Sequence, residues 1–381
     1  MPRIAAGNLP DDRSSSMQVV SAHTTLTVPV ERGRSTITLN GRARYVMHDV
    51  EVASGQQAGA FRWVKPLPSR PRRFDPTVKC TGRMVVPFIG GLGDAVSMLP
   101  VLGSLRQQNP RVQIQVTTTS GPAEVFALSG HVQRIVRYPM QLDEWSRYDC
   151  YLTMEVVHET AQAPGRALPE VFASALGIEL TDASFALNLP DGVDAAAASS
   201  SSVPLAGVVV GEGQSLRSYP QSMLRELIAQ LVQRGICCVL LGDAEEDLSI
   251  PGSGPMITDM RSRTPTVLAL AVWLRAVDVV VAHDSFVMHL AGALGRPTVA
   301  LFAPTASAHA APYANAVALA STQDCSPCHE TTDRCPRGFD RCVAWDCSTV
   351  GPQAVADAVA QKLHRHGRGV PAVAENASAA L

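Results

Sequence analysis

Short apolar runs followed by glycine-bearing turns and segments of helical spacing occur in two series along the chain. In the first series the apolar run 84–89 leads into glycines, and residues 95–108 then show helical spacing. The second series begins at the apolar run 206–210. A buried strand, a turn, a helix and a further buried strand make up the repeating unit of a parallel sheet. The sequence therefore predicts an α/β protein with two Rossmann-like domains.

The elements of both series can be placed from their apolar spacing. An Ala- and Ser-rich stretch over 194–202 separates the series and predicts a hinge. Two such domains joined by a hinge would face a cleft, with ligands at the carboxyl ends of the strands. The predicted strands are 84–89, 112–116, 149–156, 206–210, 237–241, 277–282 and 298–302, and the predicted helices are 95–108, 169–176, 221–234, 267–274 and 288–294.

Alternating apolar and polar residues ahead of these series predict a separate β structure. Runs with period-two alternation are separated by turns such as Asn40-Gly41, which is typical of small antiparallel sheets. The runs are 25–28, 35–39, 45–47 and 61–64. The predicted organisation is a disordered segment 1–17, a small N-terminal β domain 18–76, a Rossmann-like domain 77–200, a second Rossmann-like domain 201–365 with a Cys-rich insertion 323–348, and a disordered tail 366–381.

The charge balance and hydropathy argue against two classes of partner. The 381 residues hold 32 Lys and Arg against 34 Asp and Glu, for a formal net charge of −2, so no excess of positive charge favours nucleic acid. The first 17 residues lack the apolar core of a signal peptide, and the apolar stretch 267–282 is interrupted by Arg275 and Asp278. We therefore expect a cytoplasmic protein that spans no membrane and binds no nucleic acid. Its assembly into a homo-oligomer stays open.

A glycine-rich turn, Gly90-Gly91-Leu92-Gly93-Asp94, lies between the first predicted strand and helix of the α/β series. Glycines let a backbone approach a ligand closely, and a helix N-terminus offers free amide donors. The carboxylate of Asp94 has two roles open to it, because it can cap the helix or act on a ligand. A dinucleotide site is disfavoured because the turn lacks the final glycine of the G-x-G-x-x-G fingerprint.

Two further segments place polar residues at strand-to-helix turns. Residues 211–220 combine glycines and hydroxyls with the cation Arg217, which suits an anionic phosphate or is an ordinary polar loop. Residues 283–299 run from Asp284 through His289 to a Gly-Arg-Pro turn and another strand. Asp284 can hold sugar hydroxyls or cap the helix that follows. The length and order of this last segment make it the most specific of the three.

These three segments, in this order, resemble the heptosyltransferases, a family of glycosyltransferases with the GT-B fold. The resemblance covers residues 83–362, about three quarters of the chain, and is most specific over 284–305. It implies direct displacement at the anomeric carbon of a nucleotide sugar such as ADP-heptose, with inversion and without a metal at the reacting centre. The family pattern Asp-Thr-Gly is replaced by Asp284-Ser285-Phe286, which exchanges a close backbone approach for an aromatic side chain.

The resemblance also implies roles for single residues. Asp94 would be the general base that deprotonates the acceptor, because a hydroxyl is a poor nucleophile. Arg217 would neutralise the diphosphate leaving group, and Asp284 would hold hydroxyls of the donor sugar. Domain 77–200 would bind the acceptor and domain 201–365 the donor. The implied donor-binding residues are Gly91, Gly93, Arg217, Asp284, Ser285, His289 and, in a loop beside the nucleotide base, Gly242.

Five of the nine cysteines lie between residues 325 and 347. The spacing Cys325-x2-Cys328 followed by Cys335, Cys342 and Cys347 is typical of a structural metal site, in which four of the five would bind zinc or iron. Reduced, inert thiols and a disulfide formed on oxidation are the alternatives. The resemblance to the heptosyltransferases that modify autotransporter proteins implies an iron ion here. The additional N-terminal β domain points to the same subgroup.

Three other functions stay open beside transfer to Ser or Thr of an autotransporter protein, which we expect. A glycolipid acceptor would make the chain an enzyme of lipopolysaccharide core assembly. A nucleotide-sugar-binding protein without activity would keep the donor half, although the presence of Asp94 argues against it. A metal-stabilised interaction module would use the Cys-rich insertion as its contact surface.

Overall fold

The computed structural model describes most of the chain between Met17 and Arg368. The predicted hinge 194–202, nearly all of segment 1–17 and most of the tail 366–381 lie outside the described residues, as do Gly41 and Asp243. The described residues are 17–22, 26–30, 35–40, 43–48, 61–153, 165–181, 184–190, 203–211, 216–242, 244, 248, 255–310, 312–328 and 335–368.

The chain divides into two compact units, and neither is a continuous stretch of sequence. The first unit consists of Met1–Ile89, Asn109–Thr119 and Gln133–Glu155. The second unit consists of Gly90–Gln108, Ser120–Val132 and Val156–Leu381. The glycine-rich turn and the segments around Arg217 and Asp284 therefore all belong to the second unit. The predicted domain boundaries at 77–200 and 201–365 stay a prediction.

Strands dominate the described part of the first unit. They are β1 (Met17–Ala22), β2 (Leu26–Val30), β3 (Ser35–Leu39), β4 (Arg44–His48), β5 (Phe61–Pro66), β6 (Arg72–Arg73), β7 (Arg83–Pro87), β8 (Gln113–Thr118), β9 (Arg134–Arg137), β10 (Met140–Gln141) and β11 (Cys150–Tyr151). An antiparallel sheet has the order β10-β4-β1-β5, a parallel sheet has the order β6-β11-β7-β8-β9, and β2 pairs with β3.

The N-terminal antiparallel sheet is completed by residues from much later in the chain. Strand β10 pairs with β4, and Met17 and Val19 are buried in one apolar cluster with Met140 and Trp145. The strands predicted over 25–28, 35–39, 45–47 and 61–64 are confirmed as β2 to β5. Alternation along the sequence reveals such strands, but it cannot reveal a partner about 95 residues away.

A six-stranded parallel sheet forms the centre of the second unit. Its strands are β12 (Leu205–Val210), β13 (Cys237–Gly242), β14 (Ile257–Asp259), β15 (Val279–His283), β16 (Thr298–Phe302) and β17 (Ala316–Ala320). Their order is β14-β13-β12-β15-β16-β17. Strands β12, β15 and β16 are almost continuous runs of buried apolar residues, as strands covered on both faces must be. The winding reverses between β12 and β15, and open α/β sheets bind ligands at the carboxyl ends of the strands at such a point.

Helices complete the second unit. They are α1 (Leu92–Gln108), α2 (Ser120–Ala127), α3 (Leu168–Leu176), α4 (Gln221–Gln233), α5 (Val267–Ala276), α6 (Phe286–Ala293) and α7 (Pro352–Arg365). Eleven consecutive residues of α1, 95–105, are buried, so this part of the helix is buried on every face. It packs on α6, which follows Asp284 in the sequence. No helix within the described ranges is both long and apolar enough to cross a bilayer.

Most predicted elements of the two series are confirmed, with ends that move by up to three residues. Helix α1 begins at Leu92 rather than residue 95, and β16 covers the predicted residues 298–302. The predicted strand 149–156 is seen only over Cys150–Tyr151, and its residues from 154 onward lie outside the described ranges. The strands β9, β14 and β17 and the helices α2 and α7 were not predicted from the sequence. The three missed strands are short or half-exposed and lack the buried apolar run that marks the central strands.

Candidate active site

A buried carboxylate, Asp284, lies at the carboxyl end of β15, beside the point where the sheet reverses its winding. Only 4% of its surface is exposed. His309 Nδ1 donates a hydrogen bond of 3.1 Å to Asp284 Oδ2. His289 Nε2 lies 3.7 Å from Asp284 Oδ1. Burial alone would raise the pKa of Asp284, but the hydrogen bond from His309 and the charges of His309, His289 and Arg217 outweigh burial and lower the pKa. Asp284 is therefore a fixed negative charge.

The orientation of His289 follows from its second contact. Its Nδ1 lies 2.8 Å from Tyr313 Oη. Burial raises the pKa of Tyr313, so the phenol is neutral. The Nε2 atom of His289 faces the Asp284 carboxylate, which favours the ring proton on Nε2, and with that tautomer Nδ1 accepts a hydrogen bond from the Tyr313 hydroxyl. Gly292 leaves room for this arrangement, because a Cβ there would collide with the Tyr313 ring.

The sequence analysis missed His309 and Tyr313. Both follow β16 in a segment without regular spacing, about 25 residues after the groups that they contact. His309 and Tyr313 belong to no sequence motif, because only the fold brings them to Asp284 and His289.

Asp94 caps the helix on which it lies. The Gly91 backbone N–H donates a hydrogen bond of 2.9 Å to Asp94 Oδ2, and α1 begins at the next residue. An acid at the third helical position that reaches back to the N-cap amide is one half of a capping box. A Cβ on Gly93 would lie 3.0 Å from His289 Cδ2, so the first turn of α1 lies against His289. The structural role of Asp94 is thus observed, and its role as a base stays a prediction.

Arg217 lies near the same buried groups. The pKa of His283 is lowered to about 4, mainly by burial and to a smaller extent by the positive charge of Arg217. The charge of Arg217 also acts on Asp284 and His289. Gly211 permits the close packing of this loop, because a Cβ there would lie 2.6 Å from His283 Cε1. Arg217 is therefore close enough to Asp284 and His289 for its charge to act on both, and the donor-binding roles of the three residues stay a prediction.

Two hydroxyl groups at this edge of the sheet are buried without a hydrogen-bond partner in the described part of the chain. They are Ser285 Oγ and Thr305 Oγ1. Ser285 occupies the N-cap position of α6, yet its side chain forms no capping bond. A buried polar group without a partner costs free energy. A polar ligand at the N-terminus of α6 would supply the missing partners.

Gly242 ends β13 next to the strand that precedes the Arg217 loop. Its φ of 106° lies in the left-handed region, which favours glycine. A Cβ would also overlap the carbonyl oxygen of Val210 at the end of β12. Glycine is therefore required for β13 to turn here, at the carboxyl edge of the sheet. The position suits a ligand-facing loop, although Asp243 lies outside the described residues.

The Cys-rich insertion separates four of its cysteines from the fifth. Cys325, Cys328, Cys335 and Cys342 line one cavity of about 230 Å³ together with Leu216. The sulfur of Cys347 instead contacts the hydroxyls of Thr322 and Thr349, at 3.0 Å each. These contacts lower the pKa of Cys347 to about 6. Within the described residues, no three acidic, His or Cys side chains are arranged to hold a metal ion.

Solved structures similar to this chain define its fold class. The chain aligns with a family 9 glycosyl transferase from Veillonella parvula (13% identity, 74% of this chain and 97% of that chain, TM-score 0.58). It aligns similarly with E. coli ADP-heptose LPS heptosyltransferase II (18% identity, 75% of this chain and 99% of that chain, TM-score 0.56). The alignment with the iron-containing dodecameric glycosyltransferase TibC from enterotoxigenic E. coli covers a larger share of this chain (12% identity, 93% of this chain and 92% of that chain, TM-score 0.56). The predicted α/β fold of the Rossmann-like GT-B type is thus confirmed.

A family model identifies the domain that carries the site. Residues 167–337 match glycosyltransferase family 9 (heptosyltransferase), a range that contains Arg217, Asp284 and His289. No curated protein sequence matches the chain. The chain therefore carries a glycosyltransferase family 9 domain, and domain and fold together support a glycosyltransferase. The predicted resemblance to heptosyltransferases is confirmed.

The buried histidines predict a loss of stability in mild acid. Burial is the main cause that lowers the pKa of both His283 and His289 to about 4. The folded protein therefore keeps them neutral between pH 6.5 and 4, whereas the unfolded chain binds protons there, so stability falls as the pH falls. Each histidine should lower the free energy of unfolding by ~3 kcal/mol between pH 6.5 and pH 4. Urea unfolding at a series of pH values measures it.

The variant His283→Gln supplies the control for this prediction. It should reduce the slope of unfolding free energy against pH between 4 and 6.5 by about 1.4 kcal/mol per pH unit, the value for one proton. Above pH 7 the slopes of parent and variant should agree. An unchanged slope below pH 6.5 would show that His283 titrates alike in both states.

Proposed function

We propose that the chain is an inverting glycosyltransferase that moves a heptose from ADP-heptose to a hydroxyl of an acceptor, namely Ser or Thr of an autotransporter protein. The observation that carries the proposal is the cluster of Arg217, Asp284 and two buried, unpartnered hydroxyls in a family 9 domain. The E. coli structural neighbour is described as an ADP-heptose enzyme. We place the activity in the cytoplasm.

The donor half of the site has a group for each part of a nucleotide sugar. The N-terminus of α6 and Arg217 supply positive charge for the diphosphate. Ser285 and Thr305 supply hydroxyls that lack a partner in the described structure. Asp284 is an ionised acceptor for sugar hydroxyls, and Gly242 turns the chain beside the base. Domain 201–365 would thus bind the donor, with Gly91, Gly93 and His289 shaping the side near α1.

The reaction follows from these positions. The acceptor oxygen attacks the anomeric carbon, the bond from that carbon to the diphosphate oxygen breaks, and ADP leaves. Asp94 takes the proton of the acceptor hydroxyl, and Arg217 stabilises the negative charge that develops on the diphosphate. Capping occupies Oδ2 of Asp94, which fixes the carboxylate at the first turn of α1.

The N-terminal strands favour a protein acceptor, with domain 77–200 on the acceptor side. The alignment with heptosyltransferase II covers 75% of this chain, whereas the alignment with TibC covers 93%. The larger alignment must therefore include part of the antiparallel strands of the first unit. An enzyme that modifies only a core oligosaccharide is the alternative. Because TibC is described as dodecameric, homo-oligomers belong to the proposal.

We assign a structural iron or zinc ion to Cys325, Cys328, Cys335 and Cys342. These four cysteines line one cavity, although their side chains are not arranged as a metal-ligand set in this structure. Thiolates suit both metals, and TibC is described as iron-containing. Cys347 is left out because its sulfur contacts two threonines. When bound, the ion would cross-link the insertion and would take no part in sugar transfer.

A competition assay tests the acceptor. The purified chain is given ADP-heptose with an autotransporter passenger protein and deacylated core oligosaccharide together. We expect heptose on Ser or Thr of the protein, measured by peptide mass spectrometry. Sugar on the oligosaccharide alone would support core assembly instead. Labelling of neither acceptor would contradict the proposed donor, whereas ADP binding without any transfer would favour a non-catalytic protein.

The proposed base is tested by Asp94→Asn. The amide oxygen can still accept the Gly91 N–H, so the helix cap and the fold should persist. Without a base, kcat should fall by about 100- to 10,000-fold, and ADP affinity measured by calorimetry should stay unchanged. Asp143→Asn, at an exposed carboxylate that pairs with Arg44, is the matched control and should keep full activity. Undiminished turnover of Asp94→Asn would refute the assignment.

The metal assignment predicts a difference between two cysteine variants. Cys342→Ser removes one of the four cavity thiols and should lower both the bound metal per chain and the melting temperature. Cys347→Ser should keep the metal content of the parent. Elemental analysis of the purified full chains measures both. Equal metal content in the two variants and the parent would rule out this ligand set.

A further inference from the structure

We propose that the Cys-rich insertion positions Arg217, with Trp345 and Tyr219 as the residues that transmit the effect. The inference rests on the proposed role of Arg217 at the donor diphosphate. It extends that role, because it assigns to the insertion an effect on binding of the phosphates. Trp345 and Tyr219 are positioning residues, since neither would touch the substrate.

Two buried hydrogen bonds connect the loop around Arg217 to the C-terminal end of the Cys-rich insertion and the residues just after it. Trp345 Nε1 donates to the carbonyl oxygen of Leu216 at 3.0 Å. Tyr219 Oη donates to the carbonyl oxygen of Val350 at 2.8 Å. Arg217 therefore lies between two anchored residues, one immediately before it and one two positions after it. Both bonds are inaccessible to water, so water cannot readily replace a lost donor.

Ring packing joins these two hydrogen bonds into one unit. The rings of Tyr219 and Trp345 meet edge to face, with centroids 5.2 Å apart and an interplanar angle of 81°. Both side chains are almost fully buried, which leaves each with little rotational freedom. A displacement of Trp345 must therefore move Leu216 and Tyr219 together, and with them the backbone of Arg217.

The cysteine cavity is connected to the same backbone. Leu216 lines the cavity beside Cys325 and Cys342, and a one-turn helix over Val343–Trp345 follows Cys342 directly. Leu216 thus packs in one cluster with Cys342, Cys325 and Cys335, while its carbonyl oxygen accepts a hydrogen bond from Trp345. Order in the insertion is passed on to residue 216, and Arg217 is the next residue in the chain.

A long, flexible arginine side chain needs such support to act on a diphosphate. Electrostatic stabilisation is strongest when the charge is already in place before the ligand arrives. The charge of Arg217 already acts on His283, Asp284 and His289. A loop anchored at both ends keeps the guanidinium in this region and lowers the entropy lost when phosphates bind.

The test compares ADP with adenosine as ligands of the full chain, by calorimetry. Arg217 would contact only the phosphates, so a displaced Arg217 should weaken ADP and leave adenosine unchanged. Trp345→Phe keeps a buried ring but removes the N–H that holds Leu216. We expect ADP affinity to fall about 10-fold, the size for loss of one buried hydrogen bond that orders a charged group. Trp273→Phe, in α5 of the same unit, is the matched control and should bind both ligands like the parent.

The variant Arg217→Gln distinguishes an error in the proposed role of Arg217 from an error in the proposed positioning by Trp345 and Tyr219. If Arg217→Gln leaves ADP affinity unchanged, the proposed role of Arg217 is wrong. If Arg217→Gln weakens ADP while Trp345→Phe does not, the positioning role is overturned and the proposed function stands. Equal weakening of ADP and adenosine by Trp345→Phe would also overturn it, because that result indicates a general loss of structure. Should Trp345→Phe fail to fold, Tyr219→Phe removes the bond to Val350 and is expected to give the same selective loss.

Discussion

The charge of Asp284 is the constraint around which the second unit is arranged. An ionised carboxylate removed from water is stable only if other groups replace its hydration. Two histidines do so, one from α6 and one from the segment after β16. The other ring nitrogen of His289 in turn contacts the hydroxyl of Tyr313. One buried charge thus dictates the identity of residues on two separate elements.

The same region shows why a transferase domain can tolerate so much buried polarity. Each group is placed at the carboxyl edge of a sheet whose strands are apolar and rigid. The sheet and its buried helices supply the stability, and the edge can then hold groups that cost stability. The unpartnered hydroxyls of Ser285 and Thr305 are such a cost. A ligand that bonds with them would repay it on binding.

Local pattern was enough to predict the central strands of the parallel sheets and the turns that follow them, because a buried strand and its turn are formed by contiguous residues. The edge strands β9, β14 and β17 lack that pattern. The positions of Arg217, Asp284 and His289 at one edge follow from parallel topology, in which successive strand ends meet. His309 and Tyr313 could not be predicted, since their partners are far away in sequence and no spacing marks them. The same limit applies to the cysteines. Spacing proposed five candidates, and only the fold shows that Cys347 faces threonines rather than the shared cavity.

The alternation of the chain between the two units limits how gene segments that encode them can be exchanged. The chain passes between the two units five times before residue 156, and α1 reaches the second unit from within the sequence of the first. No single breakpoint separates the units, so neither can be exchanged between genes as one intact module. During synthesis all residues of the first unit have been made once Glu155 has emerged. Helix α1 and the glycine-rich turn, by contrast, can pack in the second unit only after α6 has been made. A change in either unit must therefore arise by substitution or by insertion within it rather than by exchange of the whole unit.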